Sequence, residues 1–303
     1  MAKSYLTLRN LYGTLTNNSS TSNLTLGDQF LNDAIRSINS VRDWPHLYRT
    51  ATDTTVASQQ SYPLPGEAEK LQYVTMTIGT TVYTPREIED RQMWEALNQS
   101  TSQTSSIPEF YFIFNSKVYF YPTPSAASNT ITFYYKKAQK DLSITDYTTG
   151  TITTATQGST AIVGSGSTWT VKMAGRYLRI TDSDTANTGD GFWYEISAAP
   201  TATTITLLRE YAGTSIAAGS ASYTIGQLPL LPEAYHDLPV YKACENYFTS
   251  VEPDANLAAL YYKKYEEGLA KMEQEAGSKS SDPLLYLDPD MTPYNPNFYI
   301  TLS

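Results

Sequence analysis

Few residues in this chain of 303 are of the types and spacings that do chemistry. The densest set is Asp182, Asp184 and Asp190 with Glu195, threaded by Ser183, Gly189 and Gly191. Clustered carboxylates in a glycine-containing loop are what a hard cation such as calcium requires. The spacing matches no standard calcium loop, Ala186 stands where a further oxygen ligand would be needed, and Asp-Gly turns between strands need no metal. His46 and His236 lie far apart with no flanking nucleophile and carboxylate, so both read as structural. The single cysteine, Cys244, sits among apolar neighbours on a helical stretch and reads as a core residue. It permits no intramolecular disulfide, and one thiol with two histidines is too few for a zinc site. Gly164-Ser165-Gly166-Ser167 follows a strand-like run but precedes no helix, so it reads as a turn and not a phosphate loop. The sequence nominates no catalytic residue, no cofactor and no pair of carboxylates for glycan hydrolysis. The chain reads as a protein that is not an enzyme.

What it offers instead is aromatic β-structure. Val118-Tyr119-Phe120-Tyr121-Pro122-Thr123-Pro124 and Ile131-Thr132-Phe133-Tyr134-Tyr135-Lys136-Lys137 predict a hairpin with a proline-punctuated turn. Ile107–Ile113 adds a strand closed by a turn at Asn115-Ser116. Tyrosine is the compositional outlier, with 25 residues against 9 phenylalanines. A flat apolar ring with a polar tip suits interfaces, and equally the exposed ladders of an ordinary β protein.

The elements that must carry these residues follow from periodicity. Tyr5, Leu8, Leu11, Tyr12 and Leu15 mark a short amphipathic helix, broken by the polar stretch 17–23. Phe30, Leu31, Ala34, Ile35, Ile38 and Val41 mark a second, with Thr25 or Asp28 as N-cap and an end at Trp44-Pro45. Leu71–Val82 reads as two strands about a Gly79 turn, and Thr84–Leu97 as a helix with Pro85 in its first turn. Residues 233–250 and 254–275 read as two further helices, with Pro239 kinking the first or marking its true start.

Between the aromatic strands and those helices the composition changes. Residues 148–226 are dominated by Thr, Ser, Gly and Ala, with six short alternating runs, which describes a small all-β barrel or sandwich. The division expected is a core of 1–147 and 228–275, an inserted all-β domain at 148–227, and an extended C-terminal arm at 276–303. The arm combines Pro283, Pro289, Pro293 and Pro296 with Leu284, Leu285, Tyr286, Leu287, Tyr294, Phe298, Tyr299, Ile300 and Leu302. That is far more apolar anchorage than a disordered tail carries, and it suits docking on another surface or wrapping the chain's own.

The net charge of −9 is uneven, with 5 basic and 12 acidic residues in 227–303 against near balance elsewhere. Phosphate contacts need Lys and Arg, so gripping nucleic acid is disfavoured, while DNA passing by without sticking is not. No run of about 18 apolar residues and no apolar stretch near Met1 are present, so neither a membrane span nor a secretory signal is expected, and synthesis in a cytoplasm is.

Taken in order, several of these pieces resemble the head-to-tail adaptor (connector) proteins of tailed bacteriophages, the tail tubular protein A type included. The carriers are Ile38-Asn39-Ser40-Val41-Arg42-Asp43-Trp44, Gln60-Ser61-Tyr62-Pro63-Leu64-Pro65, Pro108-Glu109-Phe110-Tyr111, Val118–Pro124, Phe133–Lys137 with Leu142, and Leu231-Pro232-Glu233-Ala234-Tyr235-His236 leading into Ala243. The resemblance covers residues 4–147 and 228–275. It implies an α+β fold in which a helical bundle forms the body of a homo-oligomeric ring of twelve copies beneath the portal protein. The ring would extend the DNA channel, without binding DNA specifically, and carry a downstream tail or nozzle protein and tail fibres. By the same resemblance, Tyr119, Tyr121, Pro122 and Pro124 belong to a β-element facing the tail. Leu284, Leu285, Tyr286, Leu287, Tyr294, Phe298, Tyr299 and Ile300 would dock on the portal. The place implied is the head–tail junction of the virion, assembled in the host cytoplasm. The inserted domain has no counterpart in the simplest members. The alternative is therefore a tail-associated binding protein whose β-domain anchors fibres or binds host glycans through Trp169, Trp193 or Tyr194, unless those tryptophans form its core.

Overall fold

Helix α1 (Tyr5–Leu15) starts where Ser4 Oγ accepts a hydrogen bond from the Thr7 amide, and it buries Tyr5, Leu8 and Tyr12. Residues 2–99, 104–105, 107–182 and 188–278 are described by the computed structural model. The arm residues Leu284 to Ile300, together with Asp184 and Ala186, lie outside them. Helix α2 (Thr21–Val41) begins earlier than Thr25, capped by Ser20, so the last three residues of the expected polar break are helical. The reason is tertiary. Asn23 Oδ1 accepts from Tyr12 Oη, and Asn23 Nδ2 donates to Thr16 and to the Asn18 carbonyl, so this buried amide is satisfied only against α1. Gly27 lies directly beneath the Tyr12 ring, where any Cβ would collide with it.

The chain then turns at Trp44, fully buried with its indole N–H on the Ile38 carbonyl, into two small sheets. The strands are β1 (Tyr48–Thr54), β2 (Ser61–Pro63), β3 (Ala68–Ile78), β4 (Thr81–Tyr83) and β5 (Arg86–Glu87). Helix α3 (Arg91–Gln99) follows, then β6 (Thr104–Ser105), β7 (Phe110–Phe114), β8 (Lys117–Tyr121), β9 (Thr123–Pro124) and β10 (Thr130–Lys137). One sheet has the order β1-β10-β3-β4 and the other β2-β8-β7-β5. They share a core of Val74, Met76, Ile131 and Phe133 from the first with Tyr62, Tyr111, Val118 and Phe120 from the second.

Two expectations are corrected here. Residues 118–124 and 131–137 do not form a hairpin, since β8 pairs with β7 and β10 lies between β1 and β3 in the other sheet. Asn115 and Ser116, both at positive φ, make the tight β7–β8 turn that fits strand twist. Pro122 and Pro124 have no N–H to extend a ladder, so the chain leaves one sheet and crosses to the other. Nor is 84–97 one helix. Arg86 and Ile88 donate their amides to the Glu109 and Tyr111 carbonyls, as a short parallel strand, and α3 starts only after Asp90, whose carboxylate accepts from the Gln92 amide.

Seven strands follow, one more than expected: β11 (Thr151–Ala155), β12 (Ala161–Ser165), β13 (Tyr177–Ile180), β14 (Trp193–Thr201), β15 (Thr204–Leu207), β16 (Ile216–Ala221) and β17 (Tyr223–Gly226). The Ala/Gly-rich β16 has no alternation to betray it. All seven form one sheet, order β16-β11-β12-β15-β14-β13-β17, whose two edge strands are separated in sequence only by Ser222. A sheet whose edges adjoin in sequence is curled toward closure. It encloses its own apolar cluster, including Ile152, Ile162, Trp169, Leu178, Tyr194 and Ile205.

Entry and exit of this segment run side by side. Tyr147 and Ile225 exchange both backbone hydrogen bonds at 2.8 Å, and Gln227 Oε1 accepts the amides of Ser143 and Ile144. Lys137 reaches across from β10 to Glu195 at 2.8 Å and Glu67 at 3.2 Å, while the Trp193 indole donates to the Ala2 carbonyl. After it come α4 (Leu238–Ser250), with Pro239 in its first turn, and α5 (Ala255–Ser278). Pro239 thus marks a helix start, preceded by a 3₁₀ turn at Glu233–Tyr235. These two helices pack on α1 and α2 around Leu8, Tyr12, Leu31, Ile35, Val240, Cys244 and Tyr247. The chain is mixed α+β, with five α-helices among the described residues.

Candidate interaction surface

The strands β7 (Phe-Tyr-Phe-Ile-Phe) and β8 (Lys-Val-Tyr-Phe-Tyr) carry apolar groups on both faces, and strand alternation sorts them. Tyr111, Ile113, Val118 and Phe120 point into the core between the sheets. Phe110, Phe112, Tyr119 and Tyr121 point the other way, with Phe110 opposite Tyr121 and Phe112 opposite Tyr119. Helix α3 lays Trp94 onto this outer face, 5.5 Å from Phe112 in a stacked pair and 6.4 Å from Tyr119 and from Tyr121 edge-on. Such ring pairs add about 0.5–1.5 kcal/mol each beyond the area they bury.

A helix of nine residues is too short to cover the face. Phe114 stays 45% exposed with the Arg91 guanidinium 5.0 Å above its ring. A groove of about 180 Å³ runs between α3 and the strands, walled by Trp94, Asn98, Phe112, Phe114 and Tyr119, with the Arg91–Glu95 ion pair along its rim. An aromatic floor, an arginine and a polar rim are the composition of a protein contact surface. Nothing here supplies a nucleophile or an acid–base pair.

Of the residues expected at a tail-facing element, the geometry brings Tyr119 and Tyr121 together on this face, both half-buried. Pro122 and Pro124 are buried instead. Pro124 sits in the two-residue pairing of β9 with β6 and accepts the Ser58 amide through its carbonyl, so both prolines shape the turn and present no side chain to a partner. Sequence reasoning missed Trp94, Arg91 and Phe114. The Arg91–Trp94 spacing was present, but only the fold says which sheet the helix meets.

The chemically suggestive residues are absorbed locally. Asp190 accepts from the Tyr194 hydroxyl and, at 3.1 Å, from the Phe192 amide, while Glu195 turns to Lys137. Among the described residues no three His, Cys, Asp or Glu side chains converge as metal ligands. His236 is buried between the Lys3 amide at 3.0 Å and the Leu231 carbonyl at 3.0 Å, and burial lowers its pKa. Burial likewise pushes His46 down to about 4 and Cys244 up to about 12, so the thiol is no nucleophile. Trp169, Trp193 and Tyr194 are all buried, the first with its indole on the Tyr223 hydroxyl at 2.8 Å, so none is free to stack on a sugar. Among the described residues no helix is long and apolar enough to cross a membrane.

The family model described as SU10 adaptor protein matches residues 3–158. That span takes in α1, α2, both facing sheets, α3 and β11. No curated protein matches the chain.

Proposed function

Because the chain belongs to the SU10 adaptor protein family, a family of phage adaptors, and is thereby a structural virion component that meets other head and tail proteins, we propose that it forms a ring under the portal. That ring, of twelve copies, extends the DNA channel and carries the tail. The match to residues 3–158 is the observation that carries this reading, since it includes the aromatic face and the helices α1 and α2. In this reading the protein is a connector of the tail tubular protein A type, and α1, α2, α4 and α5 form the ring body. The groove by Trp94, Phe114 and Tyr119 receives the downstream tail protein, and the arm after residue 275 reaches the portal with Leu284–Leu287, Tyr294 and Phe298–Ile300. Residues 148–227 act as an inserted domain. The paired backbone at Tyr147 and Ile225 supports that division, because an insertion needs its ends close together. The excess of acidic over basic residues in 227–303, 12 against 5, suits a channel on which DNA slides.

Negative-stain imaging of the purified protein with its portal tests this. A ring seated on the portal is expected, and a chain lacking residues 282–303 should keep its circular dichroism and lose attachment. If the shortened chain seats normally, the arm has no docking role. If the intact chain ignores portal but adheres to host cells, the reading as a fibre-anchoring or glycan-binding tail protein replaces it.

A further inference from the structure

A second apolar groove lies beside the last turns of α5, where the described chain stops. It is walled by Trp44, Pro45, His46, Pro232, Tyr235 and Met272, with Glu275 and Ala276 of the last turns of α5 at its lip, and holds about 160 Å³. A cavity of about 150 Å³ takes a benzene-sized group, which is the size class of one Leu or Tyr side chain. Trp44 and Met272 line it yet are almost wholly buried, so it is a cleft in the core and not a bare surface. The His46 Nε2 atom is buried there without a hydrogen-bond partner.

What lies nearest in the chain is the segment after Ser278, and its first apolar run is Leu284-Leu285-Tyr286-Leu287. Ser278 to Leu284 is six residues, a reach of up to about 20 Å. Met272 lies six residues back from Ser278, or about 9 Å along the helix. The tether is therefore long enough to turn back and short enough to keep the run at millimolar effective concentration over the groove. Charge agrees at the rim. The Arg42 guanidinium stands 5.3 Å from the Trp44 ring, and Asp282 and Asp288 bracket the apolar run, whereas Glu275 is already engaged by the Tyr235 hydroxyl. We propose that in the free chain Leu284–Leu287 folds back into this groove beside Trp44 and Met272. The cleft is then a holding site for the near half of the arm. It does not depend on what the far half binds.

Paired cysteines test this without portal. Cys244 is buried, so added thiols report alone. In dilute full-length protein, A276C with L285C should form a disulfide within one chain about tenfold faster than K271C with L285C, because Lys271 is exposed away from the groove. A chain ending at Asp288 should melt with the intact protein, and one ending at Asp282 roughly 2–4 °C lower. Disulfides formed only between chains, equal rates at 276 and 271, or equal melting of the two shortened chains would each overturn the proposal.

Discussion

At the residue scale, chemistry has given way to satisfaction of buried groups. His46 stacks on Trp44 with ring centroids 5.8 Å apart, and its pKa falls to about 4 because burial disfavours the charged ring, a hydrogen bond to Leu230 opposing the shift and Arg49 adding to it. The unfolded chain takes up that proton near pH 6.5 and the folded chain only near 4. Between those values the unfolded state binds more protons, so stability falls as pH drops through that window. His236, also lowered, adds in the same direction. A His46→Gln variant should therefore show a shallower loss of melting temperature from pH 7 to pH 4 than the parent, the remainder tracing to His236. Identical slopes would place the His46 pKa at its ordinary value. None of this was legible from a lone histidine in sequence, since the Leu230 carbonyl that meets it comes from far along the chain and its burial is a product of the fold.

At the element scale, one aromatic hairpin serves two surfaces because strand alternation sends its rings both ways. The inner set holds two sheets together, and the outer set is roofed by a helix that covers only part of it. Phe114 is the part left bare. Replacing it with glutamate should cost little stability, because the side chain is nearly half exposed, yet abolish attachment of the downstream tail protein in a pull-down while portal seating persists. Retained attachment would move the tail contact elsewhere. The β7 and β8 strands and their turn were readable from alternation and from Asn115-Ser116. Their partners were not. Strand β10 carries the same pattern as β8, and pattern alone cannot tell edge-to-edge pairing from face-to-face packing.

At the scale of the whole molecule, the seven-stranded sheet has its own core and meets the rest through a narrow seam. One seam contact is Lys137, a buried cation shared by Glu67 and Glu195. Hydrogen bonding from Tyr135 and the nearby Lys137 outweigh burial at Glu67 and hold its carboxyl below the usual range. Joining Thr145 to Gly226 through a short Gly-Ser linker, with Lys137→Met so that no buried charge is stranded, should leave a chain with intact helical circular dichroism. It should melt cooperatively and still seat on portal. Loss of the helical signal would mean that the seven-stranded sheet is part of the folding unit of the core.

The sequence by itself determined the local features: residue counts, compositional contrasts and the periodicity of single elements. One cysteine and two histidines far apart in the sequence leave no disulfide framework and too few ligands for a His/Cys zinc site, whatever the fold. The Thr/Ser/Gly-rich stretch between aromatic strands and amphipathic helices announces short β-strands, which the fold gathers into one seven-stranded sheet, because composition is a local property. Tertiary structure alone decided which strands face one another, that α2 starts as early as Thr21 once Asn23 meets Tyr12, and that Trp94 rather than a proline turn shapes the exposed aromatic face. Those outcomes depend on contacts between residues far apart in the chain, where burial of whole faces outweighs local preference.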